Sequence, residues 1–236
     1  MLPKGLLIDL DDTIIGYNVV SDDDWSKVCE QHAAETAPFS AEEVFQVIDE
    51  ARNWWWADPM RRKTGRMRLN AARREIVVNA FERLKLDNVP LAHRIANSYS
   101  VVREESIQFL PGAEEALQDF VNRGVVLALL TNGEAVRQRA KVERFRLGRF
   151  FKSILIEGEI GAGKPEEAIF RRALSDLSLD PEDVWCVGDN LEWDAAGAQR
   201  LGIFAIWNDY ARRGLPPAST VAPDRIIHSI AELRQQ

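Results

Sequence analysis

The stretch Leu6-Leu7-Ile8-Asp9-Leu10-Asp11-Asp12-Thr13 sets two carboxylates, Asp9 and Asp11, at i and i+2 where an apolar run ends. At a strand tip that spacing puts both on one side of the backbone, pointing into the same space. Two like charges so close are unfavourable unless a cation neutralises them or one keeps a proton, and both outcomes are useful chemistry. Taken alone, the same residues also serve as turn and helix-cap residues. Three further polar clusters follow apolar runs. Thr131-Asn132-Gly133 brings a hydroxyl, an amide and a permissive backbone, which suit an anion or, equally, a helix cap. The loop from Glu157 to Pro165 contains three glycines and Lys164, a fixed positive charge, in an order unlike that of a Walker loop. The stretch Gly188-Asp189-Asn190-Leu191-Glu192-Trp193-Asp194 spreads two carboxylates across a strand end and a helix start. Each cluster alone is ordinary capping chemistry. Gathered at one sheet edge, they make a hard-metal site beside an anion site.

The elements that must position these residues follow from hydrophobic periodicity. Leu6–Ile8 reads as a strand buried on both faces. From Ser21 to about Arg103 the pattern is helical throughout. Trp25, Val28, Cys29 and His32 share one face, and Ser40 with Glu43 forms a capping box ahead of a stripe through Val44, Val47, Ile48, Ala51 and Trp55. Ala72, Ile76, Val77, Ala80, Phe81 and Leu84 mark a third helix; Leu91, Ile95, Tyr99 and Val102, after Pro90, mark a fourth. Four amphipathic helices with short connections predict a small bundle. Beyond Pro111-Gly112 helices alternate with the apolar runs 125–130, 153–156, 184–187 and 203–206, then a short Ile226-Ile227 stretch and a terminal helix. That alternation predicts a parallel sheet with crossover helices. The expected architecture is therefore α/β: a Rossmann-like parallel sheet core flanked by helices, from residues 1–14 and 108–236, with an inserted four-helix-bundle cap at 15–107. The insert should lie over the carboxyl ends of the strands, where ligands bind in such sheets.

Composition narrows the function classes. A net charge of -7 argues against general nucleic-acid affinity. No secretory leader and no run near the ~20 apolar residues of a membrane span are read, so a cytoplasmic location is expected. Cys29 and Cys186 sit in unlike contexts and read as buried free thiols, and three scattered histidines give no zinc cluster.

With all four clusters in place, the chain resembles the haloacid dehalogenase superfamily, in its phosphatase-like branch. The four motifs are Asp9-Leu10-Asp11-Asp12-Thr13, Thr131-Asn132-Gly133, Lys164-Pro165 and Gly188-Asp189-Asn190 with Asp194, in the family's order. The helical insert resembles the family's cap placed after the first strand. The resemblance implies that Asp9 is the nucleophile and carries an aspartyl-phosphate, and that Asp11 is the general acid and then the base that activates water. It implies Mg²⁺ between Asp9, the backbone carbonyl of Asp11 and Asp189. Thr131, Asn132 and Lys164 would hold the phosphoryl group, with Lys164 also catalytic, and Asp194 and Thr13 would support these groups from behind. An acid at Asp11 disfavours the family's dehalogenases, whose halide leaving group needs no proton. The expected enzyme is a Mg²⁺-dependent phosphatase of a small phosphorylated metabolite, a sugar phosphate or nucleoside monophosphate, acting as a monomer or homodimer. The alternatives are a phosphomutase with the same intermediate, a dehalogenase, and a binding module without catalysis.

Within the insert, residues 54–69 link the second and third helices, and Arg61–Arg74 carries seven positive charges with no acidic residue. In similar proteins this loop faces the active site and recognises the leaving group. Arg66, after a glycine, is the first candidate to touch an anionic part of the substrate, followed by Arg68 and Arg73. A solvated basic loop beside a packed Trp cluster is the plainer reading. Of Trp54, Trp55 and Trp56, at least one should be core, because helical spacing sends them to different faces.

Overall fold

The computed structural model describes residues 2–18 and 21–235. The chain divides into two compact units, Met1–Asn18 with Gln108–Gln236, and Val19–Ile107. The first unit begins with β1 (Gly5–Ile8). The second holds α1 (Ser21–Gln31), α2 (Ala41–Ala57), α3 (Pro59–Gly65), α4 (Leu69–Leu84) and α5 (Val89–Ser106). The first unit then resumes with α6 (Ala113–Asn122), β2 (Val126–Thr131), α7 (Ala135–Arg144), β3 (Ser153–Ile156), α8 (Glu157–Ile160) and α9 (Glu167–Leu177). It continues with β4 (Val184–Gly188), a π-helical turn over Leu191–Ala195, α10 (Ala196–Gln199), β5 (Phe204–Asn208) and β6 (Arg225–Ile227). The expected terminal helix is a 3-10 turn, Ile230–Gln235.

All six strands pair in parallel, in the order β3-β2-β1-β4-β5-β6. The fold is the expected Rossmann-like sheet flanked by helices. β1 is central, and its four residues are buried, as an apolar run without alternation requires. Strand order reverses between β1 and β4, the switch point where open α/β sheets bind ligands. On one face of the sheet, Leu7, Ala128, Leu130, Cys186 and Ala205 pack against Ile169, Phe170, Ala173, Leu174 and Leu177, the apolar stripe of α9. Both cysteines are free and buried.

The first domain boundary falls at 18/19 rather than 14/15. Asp12 adopts a left-handed conformation (φ 59°), and its carboxylate accepts the backbone N–H of Tyr17 at 2.7 Å and of Asn18 at 2.8 Å. Those bonds tie both residues to the turn after β1.

The helical unit differs from the expected four helices by a fifth. Residues 59–65 form α3 where a loop was expected: Asp58 caps it by accepting from Arg61 N at 2.7 Å, and Pro59 stands at its first turn. Trp55 is the core tryptophan, while Trp54 is exposed. Gly65 makes room for it, since a Cβ there would meet the Trp55 ring at 2.2 Å. The predicted stripes of α1, α2, α4 and α5 meet in one core that includes Trp25, Val44, Ile48, Ile76, Phe81 and Ile95. Trp25 and Tyr99 stack at 3.7 Å between ring centroids.

Candidate active site

Asp9 follows β1 directly, and its N–H bonds the carbonyl of Val187 on β4 at 2.9 Å, so the ladder carries it to the switch point. Its Oδ2 accepts from Thr13 Oγ1 at 3.3 Å, and its Oδ1 from Lys164 Nζ. The same Nζ donates to Asp194 Oδ1 at 2.6 Å. Lys164 is 2 % exposed. Burial works against its charge, but Asp194 and Asp9 more than offset this, and its pKa is raised.

Local structure explains how Asp194 reaches inward. Asn190 opens the π-helical turn by accepting from Glu192 N at 3.1 Å and Trp193 N at 2.9 Å. Asp194 Oδ2 accepts from Asn190 N at 3.0 Å. Gly188 has to be glycine, because a Cβ there would sit 2.1 Å from Asp194 Cγ. The predicted helix from Glu192 thus begins as a π turn, a feature that recurs at functional sites.

Asp189 stands at the carboxyl end of β4, its carbonyl accepting from Trp207 Nε1 at 2.7 Å. Asp9, Asp189 and Asp194 each offer a carboxylate oxygen, all within 4.8 Å of one another. Burial pushes the Asp9 carboxyl up to about 7; Lys164 lowers it and Asp194 raises it further. Burial also raises Asp189 well above the ordinary range, with Asp9 and Asp194 adding to the effect. Desolvated hard oxygen donors crowded this closely fit a divalent cation.

Thr131, the last residue of β2, is buried, and its Oγ1 accepts from Gln138 Nε2 at 2.5 Å. The Asn132 amide is taken up by backbone: its Nδ2 donates to Lys164 O and its Oδ1 accepts from Lys164 N, both at 2.7 Å. This pair staples the end of β2 to the lysine loop, a positioning job rather than a free anion contact. Gly163 allows it, since a Cβ there would lie 2.8 Å from Asn132 Oδ1. The Asp11 carboxylate stands outside the three-carboxylate cluster. Both of its oxygens are 2.8 Å from Lys141 Nζ, and Oδ2 also accepts from Gln138 Nε2 at 3.1 Å.

The structure therefore brings Asp9, Thr13, Lys164, Asp189 and Asp194 together; Asn132 is bonded to the Lys164 backbone, and Gln138 joins Thr131 to Asp11. Sequence reasoning missed Gln138, Lys141 and Glu157. Buried Glu157 accepts from Gly133 N at 2.9 Å and so shapes the Thr131–Gly133 turn. It was legible only as part of a glycine-rich loop, whereas it starts α8.

The cap arginines part ways. Arg73 is corrected from candidate contact to interior residue: it is 4 % exposed, donates to Ser100 Oγ at 2.9 Å and lies 4.9 Å from the Tyr99 ring centroid. Arg66 ends α3, half-buried, its N–H returning to Arg62 O and Thr64 O. Arg68 is exposed and 3.6 Å from Glu75, a weak surface pair.

The chain is 41% identical over 124 residues to phosphoserine phosphatase of Thermus thermophilus, which covers 52% of this chain and 49% of the relative. It is 32% identical over 103 residues to glyceraldehyde 3-phosphate phosphatase of Pyrococcus furiosus, covering 44% of this chain and 43% of the relative. The chain thus spans about half the length of the curated relatives it matches. The magnesium-bound structure of YfnB from Bacillus subtilis superposes with a TM-score of 0.75 at 20% identity, over 100% of this chain and 98% of that one, a likeness of fold. No described helix is long and apolar enough to cross a membrane. The model of the haloacid dehalogenase-like hydrolases matches residues 3–202, and the chain belongs to that family.

Proposed function

We propose that the chain is a Mg²⁺-dependent phosphatase that hydrolyses a small phosphorylated metabolite through a phosphoryl group carried on Asp9. The observation that carries this reading is the buried Lys164 ammonium shared by Asp9 and Asp194, with Asp189 in the same cluster at the switch point. Lys164 sets a fixed positive charge against Asp9 and favours its ionised form against burial, and attack on phosphorus requires that form. The named relatives support a phosphate-ester substrate: phosphoserine and glyceraldehyde 3-phosphate are small phosphorylated metabolites.

In this reading an Asp9 carboxylate oxygen attacks phosphorus, and the bond from phosphorus to the ester oxygen breaks. Asp11 gives its proton to the departing alkoxide. Asp11, now a carboxylate, takes a proton from water as that water attacks the phosphoryl group, which releases inorganic phosphate and frees Asp9. Lys164 and the Thr131 hydroxyl hold the phosphoryl oxygens in both steps. Asn132 keeps the lysine loop against β2, and Asp194 and Thr13 orient Lys164 and Asp9. Asp9, the carbonyl of Asp11 and Asp189 would hold Mg²⁺, with Asp194 beside them. When bound, the ion supplies positive charge that offsets repulsion between carboxylates and phosphate. Arg66 and Arg68 remain the proposed contacts for an anionic part of the leaving group. A sugar phosphate or nucleoside monophosphate is the expected substrate class.

The test is phosphate release from a panel of phosphorylated metabolites with Mg²⁺ present. Asp9→Asn should abolish release, EDTA should do the same, and added Mg²⁺ should restore the EDTA-treated protein. Normal turnover by Asp9→Asn would sink the nucleophile assignment. Isomerised phosphosugar in place of phosphate would make the chain a phosphomutase instead.

A further inference from the structure

The backbone turn that carries Asp11 leaves its side-chain rotamer to be set by other groups. Asp11 lies past the end of β1, in a turn whose hydrogen bonds run between the backbone of Leu10, Asp12, Ile14 and Ile15 and do not touch the Asp11 carboxylate. A carboxylate there has the usual staggered side-chain wells open to it. Two residues of α7 decide among them. Lys141 Nζ donates to both oxygens at 2.8 Å, and Gln138 Nε2 to Oδ2 at 3.1 Å. The two are three residues apart and so share a helix face.

Both residues are themselves held. Gln138 is buried, and its Nε2 also reaches Thr131 Oγ1 at 2.5 Å. Lys141 has a side chain only 13% exposed, and its Nζ lies 3.9 Å from the Tyr17 ring centroid. A free lysine keeps about 2 kcal/mol of rotamer entropy. This one is confined by a carboxylate and an aromatic face, which is more order than an incidental surface pair sustains. Gln138 further links two groups that the proposed reaction uses at the same moment, the Asp11 carboxylate and the Thr131 hydroxyl.

We propose that Gln138 and Lys141 are positioning residues for the proton transfers of Asp11, fixing its carboxylate in register with the phosphoryl pocket. The inference rests on the reading of Asp11 as acid and base. No bond to either residue forms or breaks, and both keep their protons.

The experiment measures kcat/KM of the full chain with Mg²⁺ on two substrates. One is 4-nitrophenyl phosphate, whose leaving group needs little protonation. The other is the alkyl phosphate that the unaltered chain turns over fastest. Lys141→Met should lose about 10- to 100-fold on the alkyl ester and less than about 3-fold on the aryl ester. Lys141→Arg, which keeps the charge, should recover most of the loss. Gln138→Leu should split the two substrates in the same direction. Because Gln138 is buried, its variant also tests the fold, so Lys141→Met, checked for an unchanged melting temperature, decides the matter. The Asp11→Asn/Lys141→Met double variant should be no slower than Asp11→Asn alone, because a residue acting through Asp11 has nothing left to act on. Equal losses on both esters, or a double variant slower than Asp11→Asn, would overturn the proposal. If Asp11→Asn itself fails to split the esters, the acid reading falls and the cradle with it. If Asp11→Asn splits them and Lys141→Met does not, the cradle alone falls.

Discussion

Each unit of the chain buries a charged cluster, and the two are balanced differently. In the helical unit, Arg103 Nη1 donates to Asp24 Oδ2 at 3.0 Å, both side chains 1% exposed, and Ser106 Oγ joins the same oxygen at 2.6 Å. Lys27, largely exposed, lies 3.9 Å from the other Asp24 oxygen, so inside the unit one buried cation meets one buried anion. In the α/β unit, Asp9 and Asp194 share the single ammonium of Lys164, and half-buried Asp189 adds a third carboxylate within 4.8 Å of theirs. A balanced buried pair carries no net charge, and its worth lies in not being broken. An unbalanced one carries surplus negative charge away from water, which is tolerable only if a cation or protons complete it. Buried charge in balance is scaffold; buried charge out of balance is a binding site.

The largest expected effect breaks the site and spares the scaffold. Asp9→Asn should lower turnover by at least on the order of 10³-fold, since no other carboxylate takes over the attack. Its melting temperature without divalent cation should be unchanged or higher, because the substitution removes one of the crowded charges. A large drop in stability together with lost activity would mean that Asp9 is held for the fold.

The reverse case is Arg103→Met. Leaving Asp24 buried without its partner should cost about 3–5 kcal/mol of unfolding free energy, read from chemical denaturation. A loss under about 1 kcal/mol would show that the pair is solvated and that the contrast drawn above is false. Arg73→Met should fall between the extremes, at about 1–3 kcal/mol, because it removes a buried donor from Ser100. Arg68→Ala, at an exposed pair, should cost less than about 0.5 kcal/mol. If Arg68→Ala nevertheless raises KM for an anionic substrate, its proposed contact gains; Arg73→Met should move KM only as far as it unfolds the chain.

These differences follow what was legible in the amino-acid order. Asp9, Thr131 and Asp189 could be read because topology alone places them, since successive parallel strands must end at one edge; Lys164 lies beyond α8 and is brought in by the Asn132 amide. Arg73 could not. It follows Ala72 at the border of an apolar stripe, and whether its long stem turns outward or inward depends on α5, which brings Ser100 and Tyr99 to it. Asp24 reads as one of three acids in a helix's first turn, and its partner lies seventy-nine residues away. Gln138 and Lys141 sit on a helix whose buried residues are only Gln138 and Val142, so its sequence suggests a solvated face. The fifth helix was hidden by its shortness, although Asp58-Pro59 carried its start signal. Strand ends are dictated by the backbone, whereas the burial of a long polar side chain is decided by a neighbour remote in sequence.

The smallest effect tests the surplus charge directly. Without divalent cation, burial holds the Asp9 carboxyl at about 7 against an ordinary 3.8, and Asp189 is raised as well. A carboxyl whose pKa is higher folded than unfolded stabilises the fold in its protonated form. That contribution is complete below about 3.8 and fades as pH climbs through about 7. The cation-free site should therefore weaken the fold at pH 8 relative to pH 5. If the site holds Mg²⁺, as proposed, the ion should replace the protons and release them on binding. Millimolar Mg²⁺ should raise the melting temperature by a few degrees, on the order of 2–4 °C per kcal/mol of binding, at pH 8 and by almost nothing at pH 5. In Asp9→Asn the Mg²⁺ increment at pH 8 should shrink, whereas in Arg103→Met it should persist on a lower baseline. An increment independent of pH, or one untouched by Asp9→Asn, would place the ion away from these carboxylates and leave their surplus charge without a purpose.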